Sequence, residues 1–356
     1  MSETPFTQRA SWIWSAEGTH ATPAPDAATP SHYQVRMLRR TFEVADAKTA
    51  RLEVHVSGDS RYLFYCNGEL VGRGPAKGDV NHQFYESLEL TPRLRPGRNV
   101  LAALVLDMSR VAHRPTQLGA PCAVMTYAGG FVLEGVLRGA GEGGAGAAEE
   151  DVSTDARWKV AVDTAHRFQN EATTFEGYQG YFEHRVSRLI PSGWTAVEFD
   201  DARWPAATVL YKAELLVNRR DPTSPYGLVP RMIPALEERA LGAPFKEVFL
   251  PGGDEAPGAW RHLVEQGRAL SVPPHTTVEV IIDVGELTTG FPQVATTGGA
   301  GSTVLLTYAE ALRLPWGTPG AKLLGRQQPL ANLASHFADE STGWGLDWCT
   351  AEPIPS

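Results

Sequence analysis

Residues 51–75 carry the pattern that decides the fold: Arg51-Leu-Glu-Val-His-Val-Ser-Gly-Asp-Ser-Arg-Tyr-Leu-Phe-Tyr-Cys-Asn-Gly-Glu-Leu-Val-Gly-Arg-Gly-Pro75. Its short runs rich in Val, Leu, Tyr and Phe are separated by Ser57-Gly-Asp-Ser60 and by Asn67-Gly68. Because both central residues of a type I′ turn need positive φ angles, Asn-Gly between two such runs indicates a tight hairpin. The stretch therefore predicts three consecutive strands in an antiparallel sheet.

The same alternation of short β-rich runs and turn residues continues on both sides of this stretch. Trp12-Ile-Trp14 predicts a buried strand, and residues 33–44 predict another strand with the charges of Arg39-Arg40 on its solvent side. Short β-rich runs broken by Gly and Pro recur at 85–106 and 123–137. The pattern predicts an all-β chain: a jelly-roll or galactose-binding-like β-sandwich followed by a second, incomplete β-sandwich.

Composition shifts divide the chain into four parts. Residues 1–215 form the predicted amino-terminal sandwich, and 216–238 contain four closely spaced prolines, which predict an extended crossing. A partial second sandwich is expected at 239–312 and an irregular tail at 313–356. Within the second sandwich we predict a short helix at 257–266 and strands at 276–284, 290–295 and 302–308.

Bulk composition excludes several classes of partner. The 356-residue chain has a formal net charge of −9, which gives no electrostatic reason to bind nucleic acid or anionic lipid. It contains no apolar run long enough to span a membrane, and its first residues do not resemble a secretory signal. We therefore expect a cytoplasmic protein whose three cysteines stay reduced.

Two familiar ligand motifs receive little support. Gly139, Gly141 and Gly144 match the G-x-G-x-x-G spacing, but 147–154 offer no amphipathic helix to hold a pyrophosphate, so a flexible glycine-rich turn is expected. The ten histidines show no zinc-type spacing. No metal and no cofactor is predicted.

One segment has the composition of a carbohydrate-binding surface. Residues 175–183 bring aromatic rings together with polar groups, and sugars are commonly recognised by stacking on a ring while neighbouring groups bond their hydroxyls. Tyr178, Tyr181 and Glu183 are the candidate binding residues. The alternative is that the two tyrosines only pack at the base of a loop. Trp194 and Trp204 are expected to lie in the core.

Several motifs, taken in order, resemble the amino-terminal region of bacterial α-L-rhamnosidase-like glycoside hydrolases. The resemblance runs from about Trp12 to about Ala311. It is carried by Trp12-Ile-Trp14, Arg39-Arg40-Thr-Phe42, Tyr65-Cys-Asn-Gly68, Gly97-Arg-Asn-Val100, Trp158-Lys159, Phe199-Asp-Asp-Ala-Arg-Trp204 and Tyr308-Ala-Glu-Ala311.

The resemblance implies accessory β-sandwiches followed by a large α/α toroid that holds the general acid and base. No helix-rich region with that pattern is found in this sequence. The carboxylates considered as substitutes are Asp200, Asp201, Asp254, Glu255, Asp283, Glu286 and Glu310. Because glycoside cleavage needs two opposed carboxyl groups and none of these has an evident partner, no catalytic residue is assigned.

The sequence thus favours a non-catalytic, carbohydrate-binding-like accessory region of such a glycoside hydrolase, with a truncated or frameshifted gene product as the expected origin of the irregular tail. A stand-alone carbohydrate-binding module and an active α-L-rhamnosidase are the alternatives, so enzymatic activity stays open. The implied partner is a rhamnose-containing glycan. A homo-oligomer is also left open.

Overall fold

The computed structural model describes residues 6–7, 9–16, 34–79, 81–107, 128–139, 148–169, 182–220, 223–239, 247–249, 257–284, 290, 293–299, 301–306 and 349–350. The chain divides into two units, Met1–Pro234 and Ala235–Ser356. The first part of the β-rich run predicted at 123–137, residues 123–127, and the glycine-rich residues after Gly139 lie outside the described residues.

Unit 1 contains fourteen described strands. They are β1 Ser11–Trp14, β2 Gln34–Val44, β3 Glu53–Asp59, β4 Arg61–Cys66, β5 Glu69–Gly74, β6 Gln83–Glu89, β7 Gly97–Asp107, β8 Gly130–Gly139, β9 Ala148–Asp151, β10 Lys159–Val162, β11 His166–Gln169, β12 Phe182–Arg185, β13 Thr208–Lys212 and β14 Leu228–Pro230. One sheet has the order β13-β1-β8-β3-β6-β14, with β9 paired to β8, and the other has the order β10-β2-β7-β4-β5. The all-β sandwich prediction is confirmed.

The stretch that decides the fold forms β3, β4 and β5. Asn67 and Gly68 have φ angles of 51° and 86°, as the predicted hairpin turn requires, and β4 pairs antiparallel with β5. However, β3 pairs with β6 and β8 in the other sheet. The expectation that all three strands share one sheet is wrong, because the link at Ser60 carries the chain from one layer of the sandwich to the other.

The two sheets bury their facing side chains against each other. Along β4, Tyr62, Phe64 and Cys66 point into the core, whereas Arg61, Leu63 and Tyr65 alternate outward and are only partly buried. The inner cluster contains Phe131 of β8 and Trp158, whose ring centroids are 5.7 Å apart. Full burial of one such aromatic or aliphatic side chain contributes about 1.5–3 kcal/mol.

The proline-rich segment packs against unit 1 over part of its length. Tyr226 is 1% exposed and stacks on Trp12 with ring centroids 4.1 Å apart. Leu228–Pro230 adds β14 to the edge of the seven-stranded sheet, parallel to β6. An edge position tolerates the proline, whose missing N–H would break the ladder of a central strand. Part of the predicted crossing is therefore an edge strand, and the described unit boundary follows Pro234.

Unit 2 has short described elements: β15 Glu247–Phe249, α1 Gly258–Gln266, β16 Ile281–Asp283, β17 Leu305–Leu306 and β18 Cys349–Thr350. The predicted helix is confirmed, and Gly267, with φ 65°, ends it.

The strand expected at 276–284 is limited to β16, because its partner β15 has only three residues. Among the described residues of 290–295 and 302–308, only Leu305–Leu306 forms a strand. Within the part of the chain that the structure describes, no helix is long and apolar enough to cross a membrane.

Candidate functional site

The β11–β12 hairpin carries the segment predicted to bind sugar. His166 pairs with Arg185, and Phe168 pairs with Glu183, in an antiparallel register. Glu183 therefore lies in a strand. Tyr178 and Tyr181 belong to the connection between the two strands and lie outside the described residues.

A buried Asp–His pair fixes the start of this hairpin. Asp163 Oδ1 accepts hydrogen bonds from the backbone N–H groups of Ala165 at 2.6 Å and His166 at 3.1 Å, and His166 Nδ1 lies 2.8 Å from Asp163 Oδ2. Burial disfavours the charged carboxylate, but these hydrogen bonds outweigh it and lower the pKa of Asp163. The Asp163 N–H also donates to the carbonyl oxygen of Val35 at 3.0 Å, which ties the hairpin to β2.

The end of the hairpin is anchored next to its start. The backbone N–H of Val186 donates to the carbonyl oxygen of Ala165 at 2.9 Å. The chain then continues through a single 3₁₀ turn, Ser187–Leu189, toward Trp194. Both ends of the hairpin are thus fixed where it leaves the five-stranded sheet.

Aromatic side chains cover the outer face of the five-stranded sheet. The ring of Tyr65 meets that of Trp194 edge to face with centroids 5.8 Å apart, and Phe199 meets Trp204 at 5.5 Å. Trp194 is buried and Trp204 packs partly buried against the same cluster, together with Met37. The segment around Trp194 forms turns.

Arg39 holds this covering segment in place. Its side chain is fully buried, and its Nε donates to Asp201 Oδ2 at 2.9 Å. The guanidinium also donates to the carbonyl oxygens of Trp194, of Ala196 at 3.1 Å and of Phe199 at 3.4 Å. The expectation that Arg39 faces solvent is wrong, because residues 194–204 fold over its face of the sheet.

The adjacent carboxylates Asp200 and Asp201 have separate structural roles. Asp201 also accepts from Lys159 Nζ at 2.8 Å, and although burial opposes its charge, the hydrogen bonds from Lys159 and Arg39 lower its pKa. Asp200 Oδ1 accepts the backbone N–H of Ala202 at 2.9 Å, an Asx-type turn bond.

Two buried carboxylates on the seven-stranded sheet were not found by sequence reasoning. Glu134 accepts hydrogen bonds from residues of the amino-terminal segment: the backbone N–H and hydroxyl of Thr7 and the N–H groups of Arg9 and Ala10. It anchors that segment across β8. Nothing in the local pattern of β8 signals this role, because the partners are more than 120 residues away in sequence.

Glu86 of β6 is similarly surrounded by donors. Its Oε2 accepts from Tyr62 Oη at 2.5 Å, and its Oε1 accepts from the Ala76 N–H at 2.8 Å and from Arg231 Nη1 at 3.2 Å. Burial raises the pKa of Glu86 despite these bonds. Glu86 is 8% exposed, and its hydrogen bonds join β6 to Tyr62, Ala76 and Arg231.

The remaining carboxylates considered from sequence are not brought together by the described structure. Asp254, Glu255, Glu286 and Glu310 lie outside the described residues, and Asp283 lies in β16 of unit 2. Among the residues that the structure describes, no three His, Cys, Asp or Glu side chains are grouped so that they could hold a metal ion.

Comparison with known proteins gives matches among solved structures. No family model and no curated protein matches the chain. The GH78 family rhamnosidase of Bacillus sp. GL1 is 27% identical, with a TM-score of 0.44, over 67% of this chain and 22% of its own. The α-L-rhamnosidase from Dictyoglomus thermophilum is 16% identical, with a TM-score of 0.46, over 68% of this chain and 24% of its own.

A lectin from Pleurotus ostreatus, whose structure has been solved in complex with GalNAc, also matches. It is 16% identical, with a TM-score of 0.35, over 64% of this chain and 49% of its own. The chain spans about a quarter of the length of the rhamnosidases it matches. The resemblance indicated by the sequence motifs is thus confirmed: the chain is similar, over about two thirds of its length, to part of α-L-rhamnosidases.

Proposed function

We propose that this chain is a non-catalytic accessory region of an α-L-rhamnosidase-like glycoside hydrolase and that unit 1 binds carbohydrate. The observation that carries the proposal is the anchoring of the β11–β12 hairpin. Its start is held by Asp163 and its end by Val186, beside an outer sheet face lined by Tyr65 and Trp194. A rigid scaffold that presents a loop beside aromatic rings is a common arrangement for sugar recognition.

The proposed binding residues are those of the hairpin. Tyr178 and Tyr181 supply rings for stacking on the apolar face of a sugar, and Glu183 supplies a carboxylate that accepts hydrogen bonds from hydroxyl groups. A rhamnose-containing glycan is the proposed ligand, in keeping with the motif series from Trp12 onward. The cytoplasmic location stays a prediction, as does assembly into a homo-oligomer.

The hydrogen bonding of the buried carboxylates in unit 1 supports the proposal that the chain is non-catalytic. Glycoside hydrolysis needs one protonated carboxylic acid and one free carboxylate on opposite sides of the scissile bond. Asp201, Glu86 and Glu134 instead accept hydrogen bonds from groups of their own chain. These three carboxylates are therefore engaged by groups of unit 1.

A thermal-shift series with rhamnosides and other neutral saccharides tests the proposal. We expect a saturable rise in the unfolding temperature of the whole chain, because a ligand that binds only the native state stabilises it. The variant Tyr178→Ala/Tyr181→Ala should lose the shift. The control His82→Ala changes an exposed residue elsewhere in unit 1 and should keep it. A shift retained in the double variant would remove the tyrosines from the site.

A further inference from the structure

The chain leaves the seven-stranded sheet through a short strap, residues 229–234. Just before the strap, Tyr226 and Leu228 are each 1% exposed and lie in the core. β14 pairs with β6 over only three residues. Among the described residues of the strap no apolar side chain is buried, and Met232 and Ile233 are 77% and 60% exposed. An edge segment with so few buried contacts can open locally while the sandwich stays folded.

Arg231 anchors the strap through polar contacts. Its backbone N–H donates to the carbonyl oxygen of Tyr85 at 3.0 Å, and its Nη1 donates to Glu86 Oε1 at 3.2 Å. Its Nε and Nη2 turn back on the strap and donate to the carbonyl oxygens of Ile233 at 3.0 Å and Pro234 at 2.8 Å. One guanidinium therefore shapes the end of the strap and joins it to a buried carboxylate.

The other partners of Glu86 belong to the sandwich. Its Oε2 accepts from Tyr62 of β4 at 2.5 Å, and its Oε1 also accepts from the backbone N–H of Ala76 at 2.8 Å. β5 closes over the carboxylate from the other sheet, since a Cβ at Gly74 would lie 2.6 Å from Oε2. Opening of the strap therefore removes one donor, Arg231, and leaves the enclosure by β4 and β5 in place.

The groups around Glu86 set the direction of a pH effect. Burial raises the pKa of Glu86, whereas the hydrogen bond from Tyr62 and the charge of Arg231 lower it. The charge of Glu86 also acts on Arg61 of β4: burial lowers the pKa of that guanidinium, and the charges of Asp59 and Glu86 oppose the change. Because Arg231 lowers the pKa of Glu86, the open strap binds a proton at Glu86 more readily than the closed strap.

We propose that Glu86 and Arg231 form a proton-operated latch, which holds the strap on the sheet edge at neutral pH and releases it in acid. A proton from solvent neutralises Glu86 and removes the ion pair, and no covalent bond changes. Opening is confined to the residues that follow Tyr226 and Leu228. Since unit 1 ends at Pro234, the latch fixes the course along which the chain leaves this unit. The device goes beyond the proposed function, because it requires no saccharide.

Hydrogen exchange of the whole chain, measured by mass spectrometry from about pH 7.5 down to about pH 4.5, tests the latch. After correction for the intrinsic exchange rate at each pH, the protection of a peptide covering 229–234 should fall. One proton is taken up on opening, so the fall is at most about tenfold per pH unit. A peptide from β7 should keep its protection, because Asp163 and Asp201, whose pKa values are lowered, stay charged in this range.

Two variants assign the pH dependence to the latch. Glu86→Gln and Arg231→Gln should each leave the strap poorly protected at every pH, since a neutral side chain cannot complete the ion pair. The matched controls Glu69→Gln and Arg98→Gln change exposed residues and should keep the pH dependence of the unmodified chain. Arg231→Gln decides the matter even where Glu86→Gln fails to fold, because it leaves the interior of the sandwich unchanged.

Trypsin digestion near pH 8 measures the same opening independently. Cleavage after Arg231 requires its side chain to leave Glu86 and enter the protease, so the rate follows the population of the open strap. The bond between Arg231 and Met232 should be cut about tenfold faster, or more, in Glu86→Gln than in the unmodified chain, because a hydrogen bond to a charged group is lost.

Several results would overturn the latch. They are strap protection that is constant with pH, that rises in acid, or that keeps its pH dependence in Glu86→Gln or Arg231→Gln, and equal trypsin rates in Glu86→Gln and the unmodified chain. Loss of protection in β7 in step with the strap would also overturn it, since the whole sandwich would then be opening. None of these results bears on saccharide binding, so failure of the latch is distinguishable from failure of the proposed function.

Discussion

Arg39 and Asp201 form a buried ion pair between residues 162 positions apart in sequence, with Arg39 Nε 2.9 Å from Asp201 Oδ2. The pair joins β2 to the segment that covers the outer face of the five-stranded sheet. Phe199 adds a cation–π contact, since the guanidinium carbon lies 5.1 Å from its ring centroid. One arginine therefore organises the aromatic surface on which the proposed binding face is built.

Replacement of Arg39 by methionine should destabilise unit 1 strongly. Removing one partner of a buried ion pair typically costs about 3–5 kcal/mol, and here the carbonyl oxygens of Trp194 and Ala196 also lose their donor. Urea unfolding followed by tryptophan fluorescence measures the change. Arg98→Met, at an exposed site, should change the free energy of unfolding by less than about 0.5 kcal/mol. Equal effects of the two substitutions would contradict the role given to Arg39.

Stability should fall in acid because of Asp163 and Asp201. The folded state lowers the pKa of both carboxyl groups, so the unfolded chain binds protons more readily. Their contribution is complete above the unfolded value of about 3.9 and is lost as the pH falls through the lower folded values. Urea midpoints measured from pH 6 downward test this expectation.

Asp163→Asn should lower the free energy of unfolding at neutral pH. It should also reduce the further loss of stability as the pH falls. The asparagine amide is neutral and does not titrate in this range, so it cannot provide the carboxylate that contacts His166. Glu198→Gln, at an exposed glutamate, is the matched control and should leave the profile as in the unmodified chain. An acid limb that is unchanged in Asp163→Asn would show that other groups govern it.

Tyr62→Phe should destabilise the fold through Glu86. The substitution removes the 2.5 Å hydrogen bond to Glu86 Oε2 and leaves a buried carboxylate short of one donor, which costs about 1–3 kcal/mol. Tyr85→Phe is a suitable control, because the structure shows Tyr85 in ring contacts with Phe6 and His55. Chemical denaturation of both variants should show a clearly larger loss for Tyr62→Phe, and the reverse order would contradict the pairing.

Cys66 should resist thiol reagents in the native state. Its side chain is fully buried, and burial raises the pKa of the thiol to about 11. Since the thiolate is the reactive form, little of it exists at pH 8. In the variant Cys122→Ser/Cys349→Ser, absorbance with a disulfide reagent should rise only after denaturant is added. Fast labelling of the folded variant would contradict the packing described for β4.

Local sequence patterns predicted the strands of unit 1 well. Asn67-Gly68 fixed the β4–β5 turn, and Trp12-Ile-Trp14 indicated β1, because turn geometry and side-chain type act over a few residues. Those patterns do not reveal which sheet a strand joins. The passage of the chain from β3 to β4 between layers depends on partners elsewhere in the sequence.

The candidate site was predictable only in part. The hairpin could be noticed from its aromatic composition, but the roles of Arg39 and Glu134 depend on partners more than 120 residues away. The charges of Arg39-Arg40 inside an apolar strand were interpreted as a solvent-facing side. They instead signalled a buried arginine with a distant partner. In unit 2, the β-rich run at 276–284 is mostly unpaired among the described residues, since β-propensity forms a strand only where a partner is available.

A calorimetric titration of the purified chain with an aryl α-L-rhamnoside tests the central claim most directly, because one trace reports both binding and turnover. A carbohydrate-binding, non-catalytic region predicts heats that saturate, with a baseline that returns after every injection. Continuing heat flow that tracks release of the aryl group would show hydrolysis by this chain. Either that result, or a flat trace for this ligand and for every other saccharide, would contradict the account.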